Sequence, residues 1–172
     1  MLKLFGSLII GAASIGFSIN LCGEMRAHLM LLYGIRKMFT DLFHEACYSL
    51  QPVEIVLRGC DKRWDERLGP ICSELAERLC AKQGEMGEEI WRQTFFNHRQ
   101  SLLLTAEETE VIASAGSAFF GKSKEENEHN YRLCMERLEF IIENARGEQK
   151  EKQKVCRTVS ITCGLMLIIL LI

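Results

Sequence analysis

The chain has 172 residues, 26% of them charged, with a formal net charge of −2 at pH 7. That length suits one domain plus membrane segments. The charge balance supplies neither a basic footprint for nucleic acid nor an acidic tail. Apolar residues are unevenly placed: both ends are apolar, and most of the charge lies between them.

From Leu4 to Gly23 a run of 20 residues carries no charge. As a helix it is long enough to cross a hydrocarbon core of ~30 Å, so residues 1–23 are expected to form an N-terminal transmembrane helix. Small residues recur there at four-residue spacing: Ser7 and Gly11, Ala12 and Gly16, Ser14 and Ser18. Such spacing lets another helix approach closely in lipid and leaves homo-oligomerisation open. A cleaved signal peptide is the competing reading, with Lys3 as its basic start and Ala12-Ala13-Ser14 as its small residues. The apolar run, however, continues well past the short core such a peptide needs. Asn20 and Leu21 precede Cys22, where a lipoprotein would carry small residues.

Beyond Gly23 the period is helical. Met25, Leu29, Leu32, Phe39, Phe43, Cys47 and Leu50 form a stripe at three- and four-residue steps. Pro52 ends that helix and suits the first turn of the next, whose stripe is Val53, Val56, Leu57, Cys60 and Trp64. Gly69-Pro70 is a further break. Ile71, Leu75, Leu79 and Cys80 follow. After Gly84 and Gly87 come Ile90, Trp91, Thr94, Phe95 and Leu102.

Two helix starts carry capping boxes, Thr105 with Glu108 and Ser123 with Glu126. The first is expected to open one helix with Val111, Ile112, Ala115 and Phe119 inward. The second opens a long helix whose apolar face is Tyr131, Cys134, Met135, Leu138, Ile141, Ile142 and Ala145, close to a heptad. Arg146 to Lys154 is almost wholly polar and reads as a solvated stalk. The final 15 residues, Thr158 to Ile172, are uncharged. They reach only ~22 Å as a helix; Val155 and Cys156 extend the run if Lys154 and Arg157 snorkel.

No segment alternates like a strand. The expected fold is all-α: an antiparallel helical bundle over 24–145, a polar stalk over 146–157, and flanking transmembrane helices over 1–23 and 158–172. Near the membrane ends, the central side carries Arg26, Arg36, Lys37, Arg146, Lys150, Lys152, Lys154 and Arg157, and the outer side Lys3 alone. That asymmetry places the central domain in the cytoplasm.

The chemical motifs are weak. Gly116 to Ser123 matches G-x-x-x-x-G-K-[ST], the pattern of a phosphate-cradling loop. That chemistry needs a strand, then a loop whose N–H groups face phosphate, then a helix. Here the residues before Gly121 read as helix, with Phe119 on the apolar stripe. In the simpler reading Gly121 stops one helix and Ser123 caps the next. A P-loop-like nucleotide binder is kept as an alternative.

The eight cysteines contain no C-x-x-C pair to begin a zinc site. Most fall on apolar stripes, as reduced core thiols do. A disulfide framework would require an exported helical domain, the other alternative. His28, His44, His98 and His129 read as lying on different helices without i, i+4 spacing. The pairs Glu88-Glu89, Glu107-Glu108 and Glu125-Glu126 sit early in helices, where acids favour the dipole. No catalytic, cofactor-binding or metal-binding residues are assigned, and the chain is read as a non-enzyme.

Several short elements resemble the stage III sporulation protein AB family: Met1-Leu2-Lys3-Leu4 with Gly6, Tyr48 followed by Pro52, Leu104-Thr105 with Glu107 and Glu108, Phe120-Gly121-Lys122-Ser123 before the long helix, and Cys163-Gly164-Leu165 with its Leu/Ile run. The chain departs from the family where Ala27 follows Arg26 in place of proline, where Lys124 replaces an acid, and at Glu128-His129-Asn130, which lacks a glutamine. The resemblance implies a component of the mother-cell-to-forespore channel complex of endospore-forming bacteria. It implies a soluble domain similar to type II secretion F-type platform proteins, sited at the outer forespore membrane with the central domain in the mother-cell cytoplasm. The partners it implies are a cytoplasmic secretion-type ATPase and other membrane proteins of the complex, and the role is platform or assembly.

Overall fold

The computed structural model describes residues 2–46, 52–59, 64–81, 86–121 and 123–171; side chains are described from Gly23 to Val155 within those ranges and at a few positions beyond. Among the described residues every regular element is a helix: α1 (Leu2–His44), α2 (Val53–Arg58), α3 (Gly69–Ala81), α4 (Gly87–Asn97), α5 (Ala106–Ser114), α6 (Gly116–Phe120) and α7 (Lys124–Leu171). The chain divides into two units, Met1–Leu29 with Glu143–Ile172, and Met30–Ile142.

Local chemistry sets the helix starts. Pro52 is the N-cap of α2, and its carbonyl accepts the Ile55 N–H at 2.9 Å. The boundary expected at Gly69-Pro70 is the start of α3, because a proline in the first turn lacks only an N–H that would be unpaired there. In α5 both halves of the capping box are made: the Glu108 N–H donates to Thr105 Oγ1 at 3.2 Å, and the Thr105 N–H donates to Glu108 Oε2 at 2.8 Å. Glu108 is consequently buried without being an orphan. The Ser123 hydroxyl accepts the Glu126 N–H at 3.1 Å at the start of α7.

The single helix expected from Thr105 to Phe119 is instead two, α5 and α6, joined at Ala115. The break lets the Ile112 carbonyl, near the end of α5, accept the indole N–H of Trp91 at 2.9 Å. Trp91 is the centre of the Met30–Ile142 core. Its ring lies 5.9 Å from Phe39, 4.9 Å from Phe95 and 5.0 Å from Phe119, within the range of favourable tilted aromatic pairs. Gly116 lets α6 approach this ring; a β-carbon there would meet Trp91 Cδ1 at 3.2 Å.

The stripe on α1 is broader than the sequence period indicated. Leu31, Ile35, Met38 and Leu42 are buried with Leu32 and Phe39, while Phe43 is half-buried. A helix meeting several neighbours buries a wide face. On α3, Cys72 and Ala76 are buried with Ile71, Leu75 and Leu79, and Cys80, expected inward, is exposed. The face of α7 follows expectation: Cys134, Leu138, Ile141 and Ile142 are buried.

Within this unit α1 and α7 run antiparallel. Phe43 stacks on Tyr131 at 4.0 Å, Tyr131 donates to Thr40 at 3.3 Å, and Arg36 pairs with Glu139 at 2.7 Å. Thus Met30, where α1 enters, and Ile142, where α7 leaves, lie at one end. α5 begins at that end too: the Cys134 thiol donates to the Val111 carbonyl at 3.6 Å, and Glu107 shares a groove with Phe140 and Ile141. The α4–α5 connection is therefore at the entry end, whereas Gly87, at the start of α4, touches Phe120 at the opposite end.

That connection holds a backbone exception. The Leu104 N–H donates to the Arg99 carbonyl at 3.0 Å and the Leu103 N–H to the Gln100 carbonyl at 3.2 Å, the paired bonds of a Schellman turn. The left-handed position of that turn usually takes glycine. Here Leu103 occupies it with φ 55°.

In the other unit, Arg146 to Val155 is helical and, apart from half-buried Gln149, exposed, with Lys152 bridging to Glu148 at 3.4 Å. Thr158 and Thr162 donate to the carbonyls four residues back at 3.0 and 2.9 Å. Among the described residues no helix is long and apolar enough to cross a membrane. Of the two expected membrane segments, 1–23 and 158–172, the side chains of 1–22 and of most of 158–172 lie outside the described residues.

Candidate functional site

The phosphate-loop pattern is taken apart by the fold. Gly116 to Phe120 is helix α6, preceded by helix α5, and no strand leads into it. Gly121 is extended, with φ −66° and ψ 164°. It is needed for space rather than handedness: a β-carbon there would overlap the Asn127 Oδ1 and come within 2.9 Å of the Ser117 carbonyl oxygen. Ser123 is committed to its cap, and Lys122 lies outside the described residues. Gly116 to Phe120 is helical, with the Ala118 N–H donating to the Ala115 carbonyl at 3.0 Å, so this stretch is not the open loop that a phosphate cradle needs.

The reactive side chains are dispersed. Cys72 and Cys134 are buried and Cys80 is exposed, all as free thiols. Burial pushes the Cys134 thiol up to about 11, far from a reactive thiolate. Cys22, Cys47, Cys60, Cys156 and Cys163 lie outside the described side chains. His28 and His44 share α1, contrary to the sequence reading, and His129 is on α7. His98, just past α4, meets Glu74 of α3 at 2.7 Å. Among the described residues no three His, Cys, Asp or Glu side chains could hold a metal ion.

Of the acids at helix starts, Glu108 closes its capping box and Glu89 accepts from the Gln93 amide at 3.1 Å. On α7, Phe140 is 63% exposed and Leu133 42% exposed. Spaced seven apart, they lie on the face opposite the buried Leu138. A groove between α5 and α7 is lined by Phe140 and Val111 with the carboxylates of Glu107, Glu110 and Glu136. A second groove between α1 and α7 is lined by Phe43, Tyr131 and Met135 with Glu128, Glu136 and Glu139. Arg137 in the first groove and Arg132 in the second offset part of that charge, as does Arg36 through its pair with Glu139. An apolar centre ringed by acids can hold a basic, amphipathic partner. The sequence did not single out this surface, because α7 was read there only for its buried stripe. The unpaired signal was Leu133 and Phe140 off that stripe, amid glutamates.

Among the described residues these features define an all-helical protein with its chemical groups dispersed and an apolar, acid-rimmed helix face on its surface. The chain belongs to the stage III sporulation protein AB family, whose profile matches residues 3–172. It is similar to stage III sporulation protein AB of Bacillus subtilis (strain 168), with 21% identity over 171 residues, covering 99% of each chain. No solved structure matches. A role in sporulation follows from the family.

Proposed function

We propose that the chain is a non-catalytic platform component of the mother-cell-to-forespore channel complex. It is held in the outer forespore membrane by its two apolar ends and presents Met30–Ile142 to the mother-cell cytoplasm. There it engages the complex's secretion-type ATPase and other membrane components. The observation that carries this reading is the α7 face: Phe140 exposed between the carboxylates of Glu107, Glu110 and Glu136. A solvent-facing phenylalanine in such a ring is what a docking site needs and a core does not. The 20-residue uncharged run to Gly23 and the Lys/Arg asymmetry support the anchoring and its orientation. So does the back-bonding of Thr158 and Thr162, which pairs these two hydroxyls as an apolar medium requires.

Affinity capture of the tagged full chain from sporulating cells tests this reading. The ATPase of the same complex is expected to co-purify with the wild-type chain and to be lost with Phe140→Asp. Absence of the ATPase from the wild-type capture, or equal recovery with the variant, would refute it.

A further inference from the structure

We infer that the α4–α5 turn, with Leu103 in it and Phe96 beside it in the last turn of α4, rests in the headgroup layer of an anionic membrane; the inference builds on the proposed membrane anchoring. Leu103 is 76% exposed and sits in the left-handed position of the turn, where glycine is the usual occupant. A leucine that is strained by its backbone and also turned to solvent gains nothing for folding, and such outliers collect where side chains meet a ligand. Phe96, 39% exposed, shares a concavity with Leu103 and Arg99. The Arg92 guanidinium lies 5.5 Å from the centre of the Phe96 ring.

Charge selects the occupant. No Asp or Glu occurs between Glu89 and Glu107, a stretch that contains Arg92 and Arg99, and the carboxylate that reaches the turn from α3, Glu74, is paired with His98 at 2.7 Å. Arg92 is only loosely held by Glu110, at 3.9 Å, and Arg99 Nε donates to the Leu104 carbonyl at 3.3 Å. Each guanidinium has further donors for lipid phosphate. Apolar tips flanked by arginine suit the boundary between acyl chains and anionic headgroups.

Connectivity brings the turn within reach. It lies at the end of the Met30–Ile142 unit where α1 enters, and Met30 is only seven residues past Gly23, the close of the uncharged run. Even fully stretched, seven residues span no more than about 25 Å. The Gly87 end of the unit has no such tether.

The test uses the full chain reconstituted into phosphatidylglycerol vesicles, as Leu103→Trp and, should that variant misfold by circular dichroism, Phe96→Trp. Relative to the wild-type background of Trp64 and Trp91, the added tryptophan is expected to emit to the blue and to lose that emission when the acyl chains carry bromine. The loss is expected to be weaker in phosphatidylcholine; equal loss in both lipids would overturn the part assigned to Arg92 and Arg99. If the chain floats with the vesicles while the new tryptophan responds to aqueous acrylamide and not to bromine, the turn is free or faces a protein. The inference then falls and the anchoring stands. If the chain does not float with the vesicles at all, the anchoring fails and takes the inference with it.

Discussion

Leu138 and Phe140 are two residues apart on α7 and face opposite ways, so truncating each to alanine separates folding from docking. Leu138 is fully buried. Removing three of its carbons forfeits about 2.4 kcal/mol of transfer free energy at ~0.8 kcal/mol per carbon. The space left between α7 and its neighbours adds a cavity cost, which brings the total into the ~2–5 kcal/mol range of buried Leu→Ala changes. About 3 kcal/mol corresponds to a fall in melting temperature of roughly 6–12 °C for a chain of this size. Phe140 is 63% exposed, and its truncation should cost within ~0.5–1 kcal/mol. Trp91, in the core of the same unit, supplies the signal: near-ultraviolet circular dichroism or tryptophan emission of the full chain in detergent, followed on heating. Leu138→Ala is expected to melt several degrees below wild type and still capture partner while folded. Phe140→Ala is expected to melt with wild type and to capture poorly. Equal melting of the two variants would falsify the assignment of the two faces of α7.

Four further outcomes follow from particular contacts. Gly121→Ala should lower stability by ~1–3 kcal/mol, because its methyl would collide with Asn127 and the Ser117 carbonyl; an unchanged denaturation midpoint would remove the packing explanation for that glycine. Native protein treated with a thiol reagent at neutral pH should be modified at exposed Cys80 and spared at buried Cys72 and Cys134 until denaturant is added, as read by peptide mass mapping; early labelling of Cys134 would contradict its burial. The Arg67 side chain, through its hydrogen bonds to Asp65, holds that carboxyl below its ordinary 3.8. A depressed folded-state value means the pair's contribution is complete above pH 3.8 and is lost as pH falls through the lower folded value. Arg67→Ala should therefore be less stable than wild type near neutrality by up to ~1 kcal/mol, with the gap closing in strong acid; a gap independent of pH would count against the pair. Leu103→Gly should raise stability, since relief of ~1–2 kcal/mol of left-handed strain outweighs the ~0.5–1 kcal/mol entropic cost of glycine. A lower melting temperature would show that the Leu103 side chain serves the fold.

The helical character, the positions of the caps and the inward faces of α4 and α7 could be read directly from the residues, because each is written in local spacing. Thr105 and Glu108 bond to each other across three residues, and Cys134, Leu138, Ile141 and Ile142 share one face by the pitch of a single helix. Family membership was likewise carried by the order of short elements along the chain, and the profile match over 3–172 agrees with it.

What local spacing could not hold is anything decided by a distant neighbour. The break at Ala115 is matched to the indole of Trp91, which donates to Ile112, 21 residues further along the chain. Gly116 and Gly121, which spelled out a phosphate loop, are glycines because Trp91 and Asn127 pack where a side chain would be. Cys80 looks inward by period but is exposed, with only the Arg58 guanidinium of α2 described against its sulfur at 3.3 Å. Phe140 and Leu103 look unremarkable in the sequence, since apolar residues off a stripe are common on any surface. Only the tertiary structure puts acids from α5 around the first and gives the second a backbone conformation that leucine seldom adopts, because both depend on segments brought together from far apart in the chain.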